Sequence, residues 1–319
     1  LLHQILNPLK LNLKIIVMHM KYFFKEITEC EMCLSNTIYD KVLGQRLNTS
    51  QGLRPKNKTG ISVSVKKCKN CGLIYSNPQP RPLDIQDHYG IPPEDYWTPD
   101  YFDFDKDYFS NEIKIAKKLL FFKKGMNALD IGCGVGKCIK SLEEAGFNAS
   151  GIEPSESFYK KALSNMAVKE GQIKLGMIEE VDFTKKFDFI TFVAVFEHLY
   201  QPAKALERAS NWLNKEGIVF IMVPSSRHLL AKIMNIYYRL KGTNYVTNLS
   251  PMHSPFHMYE FDLDSFKLMS KRLGFVVEKH KFEVGYIHFV PKTLQPLIRW
   301  YMNKTNTGNQ LTIYLKKLK

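Results

Sequence analysis

The sequence has no stretch of about 18 uncharged apolar residues, so a transmembrane helix is not expected. It has no run of five or six consecutive basic residues, no internal repeat, and no His-Glu-x-x-His or facial-triad spacing among its nine histidines. These absences argue against a basic nucleic-acid tail, a repeat array, and a non-heme iron or hydrolytic zinc site. Leu1 to Met20 is apolar with Lys10 and Lys14 interspersed and lacks a small-residue cleavage site. It does not read as a signal peptide, and residues 1–20 are treated as an uninformative extension, with Met18 or Met20 a plausible start. Cysteine is sparse, at six in 319 residues, yet four of the six stand in two Cys-x2-Cys pairs. Without an export signal, such pairs read as metal ligands rather than disulfides, and a cytoplasmic location is expected.

What is present suits a packed protein. Hydrophobic residues make up 45% and aromatics 13%, enough for a sizeable core. The formal charge of +14 favours anionic partners such as nucleotide-linked substrates. Lysines scattered over solvated faces would give the same total. Lys114, Lys117 and Lys118 fall on one helix face, and nucleic acid is not favoured as a partner.

The chain divides by composition. Residues 21–76 form a small module around Cys30, Cys33, Cys68 and Cys71, with a polar stretch from Gly44 to Gly60 and an alternating strand at Ile61 to Val65. Residues 77–110 are rich in proline and aromatics, a segment expected to lie across the main domain rather than float. Strands and helices then alternate over residues 111–319. Strands are predicted at Asn127 to Ile131, Asn148 to Glu153, Ile173 to Leu175, Phe187 to Val195 and Ile218 to Val223, and later at Phe275 to Phe282 and Gln310 to Leu315. Helices fall between them, one capped by Ser155. The alternation predicts an α/β fold with a seven-stranded doubly wound sheet, interrupted by a lid insertion at 224–260.

The sharpest motif is Ala128-Leu-Asp-Ile-Gly-Cys-Gly-Val-Gly-Lys137. A buried strand ends in Asp130, and glycines at 132, 134 and 136 let the backbone turn sharply against a ligand. The next strand ends in Glu153, placed to accept hydrogen bonds from both hydroxyls of a ribose. The acid-first spacing resembles motif I of the Rossmann-like S-adenosylmethionine-dependent methyltransferases. In that family the acid takes the aminoacyl end of the cofactor and the glycines face sugar and sulfonium. The resemblance assigns Asp130, Gly132, Cys133, Gly134, Glu153, Met177, Ile178 and Val193 to the cofactor. Where the family often carries an acid for the adenine amine, this chain has Gly176-Met177-Ile178, so a backbone contact or Glu179 would take its place.

Phe187 to Leu199 is similar to the family's fourth strand, whose members commonly follow it with Glu-His; here these are Glu197 and His198. Methyl transfer to a hydroxyl or carbon acid needs proton removal, and His198 has the ordinary pKa for it, with Glu197 as base or orienting partner. The plainer alternative is that His198 caps the next helix or lines the cofactor pocket. His253 and His257 lie in the insertion, and Tyr96 and Tyr101 could close over the site.

The four module cysteines match a tetrahedral structural zinc, although the 34 residues between the pairs exceed common spacing. A redox Cys-x-x-Cys is the rival. Cys68-Lys-Asn-Cys-Gly-Leu-Ile-Tyr-Ser-Asn-Pro-Gln-Pro80 resembles the zinc-binding module of a methyltransferase subgroup that includes sugar C-methyltransferases. The resemblance implies C- or O-methylation of a small molecule or nucleotide-linked sugar, with an antiparallel last strand. A tRNA or protein methyltransferase, and a non-catalytic zinc-bearing interaction protein, are the alternatives.

Overall fold

The computed structural model of the chain describes residues 22–46, 63–89, 92, 94, 99–166, 168–249, 256–287 and 290–318. The amino-terminal part supplies five short strands: β1 (Tyr22–Lys25), β2 (Lys41–Arg46), β3 (Ser64–Lys67), β4 (Ile74–Ser76) and β5 (Gln79–Pro82), then helix α1 (Ile85–Tyr89). Strands β2, β3 and β4 pair in antiparallel succession, and β1 pairs with β5.

Helix α2 (Ser110–Leu120) opens the regular part, followed by β6 (Asn127–Ile131), α3 (Lys137–Glu144), β7 (Asn148–Glu153), α4 (Glu156–Asn165), β8 (Ile173–Leu175), β9 (Phe187–Val193), α5 (Pro202–Trp212) and β10 (Leu213–Pro224). The local chemistry explains these bounds. Helix α3 buries Cys138, Ile139, Ser141 and Leu142, a spacing that keeps one face on the sheet. Ser155 caps α4 by accepting a hydrogen bond from the Phe158 amide. Pro202 stands in the first turn of α5, where no amide donor is needed. Strand β9 buries Phe187, Phe189, Ile190, Thr191 and Phe192, as a central strand covered on both faces must.

The remaining elements are α6 (Leu229–Leu240), β11 (Tyr245–Val246), β12 (Tyr259–Glu260), α7 (Leu263–Arg272), β13 (Phe275–Glu283), α8 (Gln295–Lys304) and β14 (Gln310–Lys317). The main sheet has seven strands in the order β13-β14-β10-β9-β6-β7-β8. Strands β8, β7, β6, β9 and β10 run parallel, and β14 is antiparallel to both β10 and β13. The expected α/β class, strand count and antiparallel last strand are all found. From β6 the chain winds outward to β8 and then returns to β9 on the other side. The crevice between the carboxyl ends of β6 and β9 is therefore the switch point where such sheets receive ligands.

The insertion after β10 does not stand alone. Its β11 pairs with β2 and its β12 with β4, so module and insertion share a five-stranded sheet in the order β11-β2-β3-β4-β12. Arg46, fully buried, donates from Nε to the Leu249 carbonyl at 3.1 Å, and Gln79 donates to the Tyr259 hydroxyl at 2.8 Å. Two segments far apart in sequence thus complete one another's hydrogen bonding and bury one another's apolar faces.

Candidate functional site

At the carboxyl end of β6 the chain turns through Gly132, Cys133 and Gly134. The amides of Gly132 and Cys133 both donate to the Ile152 carbonyl, at 2.8 and 2.9 Å, which binds the turn to the neighbouring strand β7. Gly132 has φ of +69°, and a Cβ there would lie 2.5 Å from Val195 Cγ2. The turn and the loop after β9 touch at that point, and only a residue without a side chain permits it. Under it, a Cβ on Gly151 would meet Ile139 Cδ1 at 2.7 Å and Cys133 Sγ at 2.8 Å. Gly132→Ala is expected to cost about 2 kcal/mol or more from the left-handed backbone and the clash. Thermal melting should show a Tm lower by roughly 4 °C or more.

Two carboxyl groups flank the turn. Asp130 is 2% exposed and its Oδ1 accepts a hydrogen bond from the Thr191 hydroxyl at 2.7 Å. Glu153, 5% exposed, accepts from the Gly134 amide at 2.7 Å through one oxygen and from the Ser155 amide at 2.9 Å through the other. Each carboxylate oxygen retains acceptor capacity beyond these bonds. Burial pushes Asp130 up to about 7, against the hydrogen bonds from Thr191 and Cys138, and pushes Glu153 up to about 7 against its two amide donors. Both are poised to ionise when a cation or further donors arrive.

The sign of this linkage is definite. The folded chain holds protons on these carboxyls that the unfolded chain releases near pH 4, so their ionisation weakens the fold as pH rises from about 4 to about 7. A ligand whose ammonium sits beside Asp130 has the opposite preference, since it favours the carboxylate. Affinity for such a ligand should rise roughly tenfold between pH 6 and pH 7.5 and then level off. Calorimetric titrations with S-adenosylhomocysteine across that range measure it, and a flat profile contradicts it.

The third edge of the site is Gly176 to Ile178, after β8. The Gly176 amide donates to the Glu153 carbonyl at 3.0 Å, Ile178 is buried and Met177 half-buried. Glu179 beside them is raised from the ordinary carboxyl range by burial. Val193 ends β9, half-buried, across from this edge. Rings of the aromatic segment lie against helices α3 and α4: Lys137 Nζ lies 4.4 Å from the Tyr101 ring centre, Lys140 packs on Phe104 and Lys161 on Phe102. The charges of Glu153 and Asp130 reach Tyr101, whose hydroxyl burial raises to about 12. Tyr96 and His253 lie outside the described residues.

The loop after β9 carries Glu197 and His198. Glu197 is 2% exposed, and burial pushes its carboxyl up to about 8. His198 does not cap α5. Its Nδ1 lies 2.9 Å from the Phe256 carbonyl, so that nitrogen donates and the neutral ring keeps its lone pair on Nε2. A backbone carbonyl of the insertion thus orients the ring. His257 comes alongside: the two imidazole rings are 4.7 Å apart, and His257 Nε2 is 4.0 Å from Glu197 Oε1. The Met258 amide donates to the Glu197 carbonyl at 2.8 Å, which fastens the insertion to this loop. Tyr89 of α1 is the residue the sequence reading missed as part of the site. Burial raises its hydroxyl well above the ordinary range, and the charges of Tyr200, Glu153, Glu179 and Glu197 add to the rise. No spacing in the sequence pointed to it among so many tyrosines.

The cysteine pairs fold as two matching knuckles. The Leu34 amide donates to the Cys30 carbonyl and the Gly72 amide to the Cys68 carbonyl, and both residues, each just after its second cysteine, are left-handed. The sulfur atoms of Cys30 and Cys71 are 3.6 Å apart and those of Cys33 and Cys68 3.7 Å. Such separations are far beyond a disulfide bond. They match the edge of about 3.8 Å that four sulfurs form around an ion at 2.3 Å. All four ligand atoms lie within 4.8 Å of one another, so the cluster could hold a metal.

The chain is 28% identical over 102 residues to a protein named Ubiquinone biosynthesis O-methyltransferase from Bradyrhizobium diazoefficiens, covering 30% of this chain and 39% of that one. A protein of the same name from Coxiella burnetii is 28% identical over 131 residues, 40% of this chain and 54% of that one. In Glaesserella parasuis the figures are 28% over 201 residues, 59% and 78%. The chain thus spans about 39 to 54% of the length of the first two relatives. Among solved structures, an S-adenosylmethionine-dependent methyltransferase from Clostridium acetobutylicum superposes with a TM-score of 0.45 at 14% identity, covering 69% of this chain and 95% of that one. The magnesium protoporphyrin IX methyltransferase of Synechocystis PCC 6803, with bound SAH, gives 0.45 at 12% identity, 66% and 83%. Residues 106–280, more than half of the chain, match the family described as "Methyltransferase domain". By that match the chain belongs to the methyltransferase-domain family.

Proposed function

We propose that the chain transfers a methyl group from S-adenosylmethionine to a small-molecule acceptor. The observation that carries this reading is the pair of buried carboxyls, Asp130 and Glu153, at the ends of adjacent parallel strands around the glycine turn. Bound there, the cofactor supplies an electrophilic methyl group on a sulfonium. Asp130 would hold the ammonium, Glu153 the ribose hydroxyls, and the backbone of Gly132, Cys133 and Gly134 the sugar and sulfonium side. Met177 and Ile178 would enclose the adenine, with Val193 opposite. Glu197 and His198 stand on the acceptor side, where His198 Nε2 can take a proton from a hydroxyl or carbon acid.

The relatives' names favour O-methylation of a small molecule. A nucleotide-linked sugar is the narrower form of the proposal, favoured by the charge of +14 and by the module sequence from Cys68 to Pro80. Cys30, Cys33, Cys68 and Cys71 would hold a zinc ion whose four thiolates leave no open position, a structural role. Free thiols suit a reducing compartment, and a cytoplasmic location is proposed on that ground. Among the described residues no helix is long and apolar enough to cross a membrane.

Calorimetry with S-adenosylhomocysteine tests the cofactor half of the reading, and absence of binding would sink it. His198→Asn tests the acceptor half. Methyl transfer should fall by about a hundredfold or more while cofactor affinity stays within twofold. Full activity in that variant would remove His198 from the chemistry.

A further inference from the structure

We propose that Glu197, His198 and His257 form a binding site for a divalent transition-metal cation, separate from the four-cysteine cluster. The three side chains come from two loops, and the fold brings one donor atom of each within 4.8 Å of the others. Two imidazoles and one carboxylate are a donor set suited to Fe²⁺, Co²⁺, Zn²⁺ or Mn²⁺, and three protein ligands leave positions open for water or an acceptor oxygen.

An independent observation points to an occupant. Glu197 is 2% exposed, and its Oε2 is buried with no hydrogen-bond partner among the described residues. A buried carboxylate oxygen without a partner is costly, and a cation beside it removes the cost while using the orphaned lone pairs. The surroundings are built as metal-bound imidazoles usually are. The bond from His198 Nδ1 to the Phe256 carbonyl, at 2.9 Å, fixes the ring and leaves Nε2 as the donor atom. Backbone bonds hold both loops: the His198 amide donates to the Val195 carbonyl, and the Met258 amide to the Glu197 carbonyl.

Donor atoms around an ion with bonds of about 2.1 Å stand about 3.0 Å apart when adjacent and about 4.2 Å apart when opposite. The 4.0 Å between Glu197 Oε1 and His257 Nε2 falls within that range, and rotation of His257, 16% exposed, can shorten it. The competing occupant of the same space is a proton on His257, which would make the contact an ion pair. Metal ligation and proton acceptance at His198 Nε2 exclude one another, so the base role in the proposed function belongs to the cation-free chain. The methyl-transfer reading is not needed for the site to bind metal.

Co²⁺ is the probe. Zinc-saturated full-length chain is titrated with Co²⁺ and followed by visible absorption and by metal analysis after gel filtration. One Co²⁺ per chain should bind with d–d absorption and without the near-ultraviolet sulfur-to-cobalt charge-transfer band that thiolates give. Glu197→Gln keeps the side chain's shape and His257→Ala removes a ring that reaches the surface, 16% exposed, so both should fold. Each should weaken Co²⁺ binding at least tenfold while keeping the cysteine-bound zinc and the affinity for S-adenosylhomocysteine. The proposal is overturned if the parent takes no Co²⁺, takes it only with thiolate bands, or if the two variants bind it like the parent. Loss of S-adenosylhomocysteine binding in the parent would count against the methyl-transfer reading and leave this one standing.

Discussion

Asp130→Asn is expected to weaken binding of S-adenosylhomocysteine by roughly ten- to a hundredfold, the worth of one buried charge-assisted hydrogen bond. The amide keeps the size of the side chain and can still accept from the Thr191 hydroxyl, which lies 2.7 Å from Oδ1. Removal of a carboxyl raised to about 7 also relieves the folded chain of an ionisation that weakens it above pH 4. The cofactor-free variant should therefore melt close to the parent at about pH 4 or below and higher than the parent at pH 8, while its deficit in cofactor binding should be full at pH 8 and small at pH 5, where the parent's own carboxyl is protonated. A purely structural Asp130 would give the reverse: a less stable chain with normal affinity. Calorimetry and thermal melting on the same preparations separate the two, and the pH dependence of cofactor affinity should flatten in the variant.

Metal removal is the second large effect. The full-length chain is expected to carry one tightly held zinc on Cys30, Cys33, Cys68 and Cys71, because binding by four preformed thiolates is worth about 10 kcal/mol or more. Chelation should lower the melting temperature by about 10 °C or more, and zinc should restore it. The consequence reaches beyond the module. Strand β4 pairs with β12, the Ser76 amide donates to the Met258 carbonyl, and the Met258 amide donates to the Glu197 carbonyl. The cysteine cluster is thus connected through a few hydrogen bonds to the acid and histidines beside the cofactor crevice. Methyl transfer should fall with the zinc, whereas cofactor affinity, set by β6 and β7, should change little. Cys71→Ser should reproduce chelation without recovery on adding zinc. A chain that melts identically with and without chelator would refute a structural metal there.

Much of this architecture was legible along the chain. The strands at Asn127–Ile131, Asn148–Glu153 and Ile173–Leu175 have the expected bounds. In each case a local pattern agrees with the tertiary environment. Strand β10 begins earlier than expected, at Leu213. Its pairing with β9 resumes after a register shift before Ile218, so polar residues 214–216 are carried within it. The apolar run alone could not show that extension.

The glycine turn with its two acids is a short-range feature: strand, turn, helix and strand follow one another, and each residue's place depends mainly on its neighbours in sequence. For that reason the turn and its two acids could be read from the sequence. The grouping of Glu197, His198 and His257 could not. The strands that join insertion to module have two residues each, too short for any periodic signal, and they pair with segments nearly two hundred residues away. His257 reaches Glu197 and His198 only because Met258 and Phe256 are fixed by backbone bonds to that loop. A scan of histidine spacing finds no metal motif in this chain, yet the fold assembles two imidazoles and a carboxylate from separate elements. The sequence by itself determined the sheet, the glycine turn and the four cysteines, since local propensity and spacing specify them. Tertiary structure alone decided that Glu197, His198 and His257 stand together, because that cluster exists only where long-range strand pairing brings distant loops together.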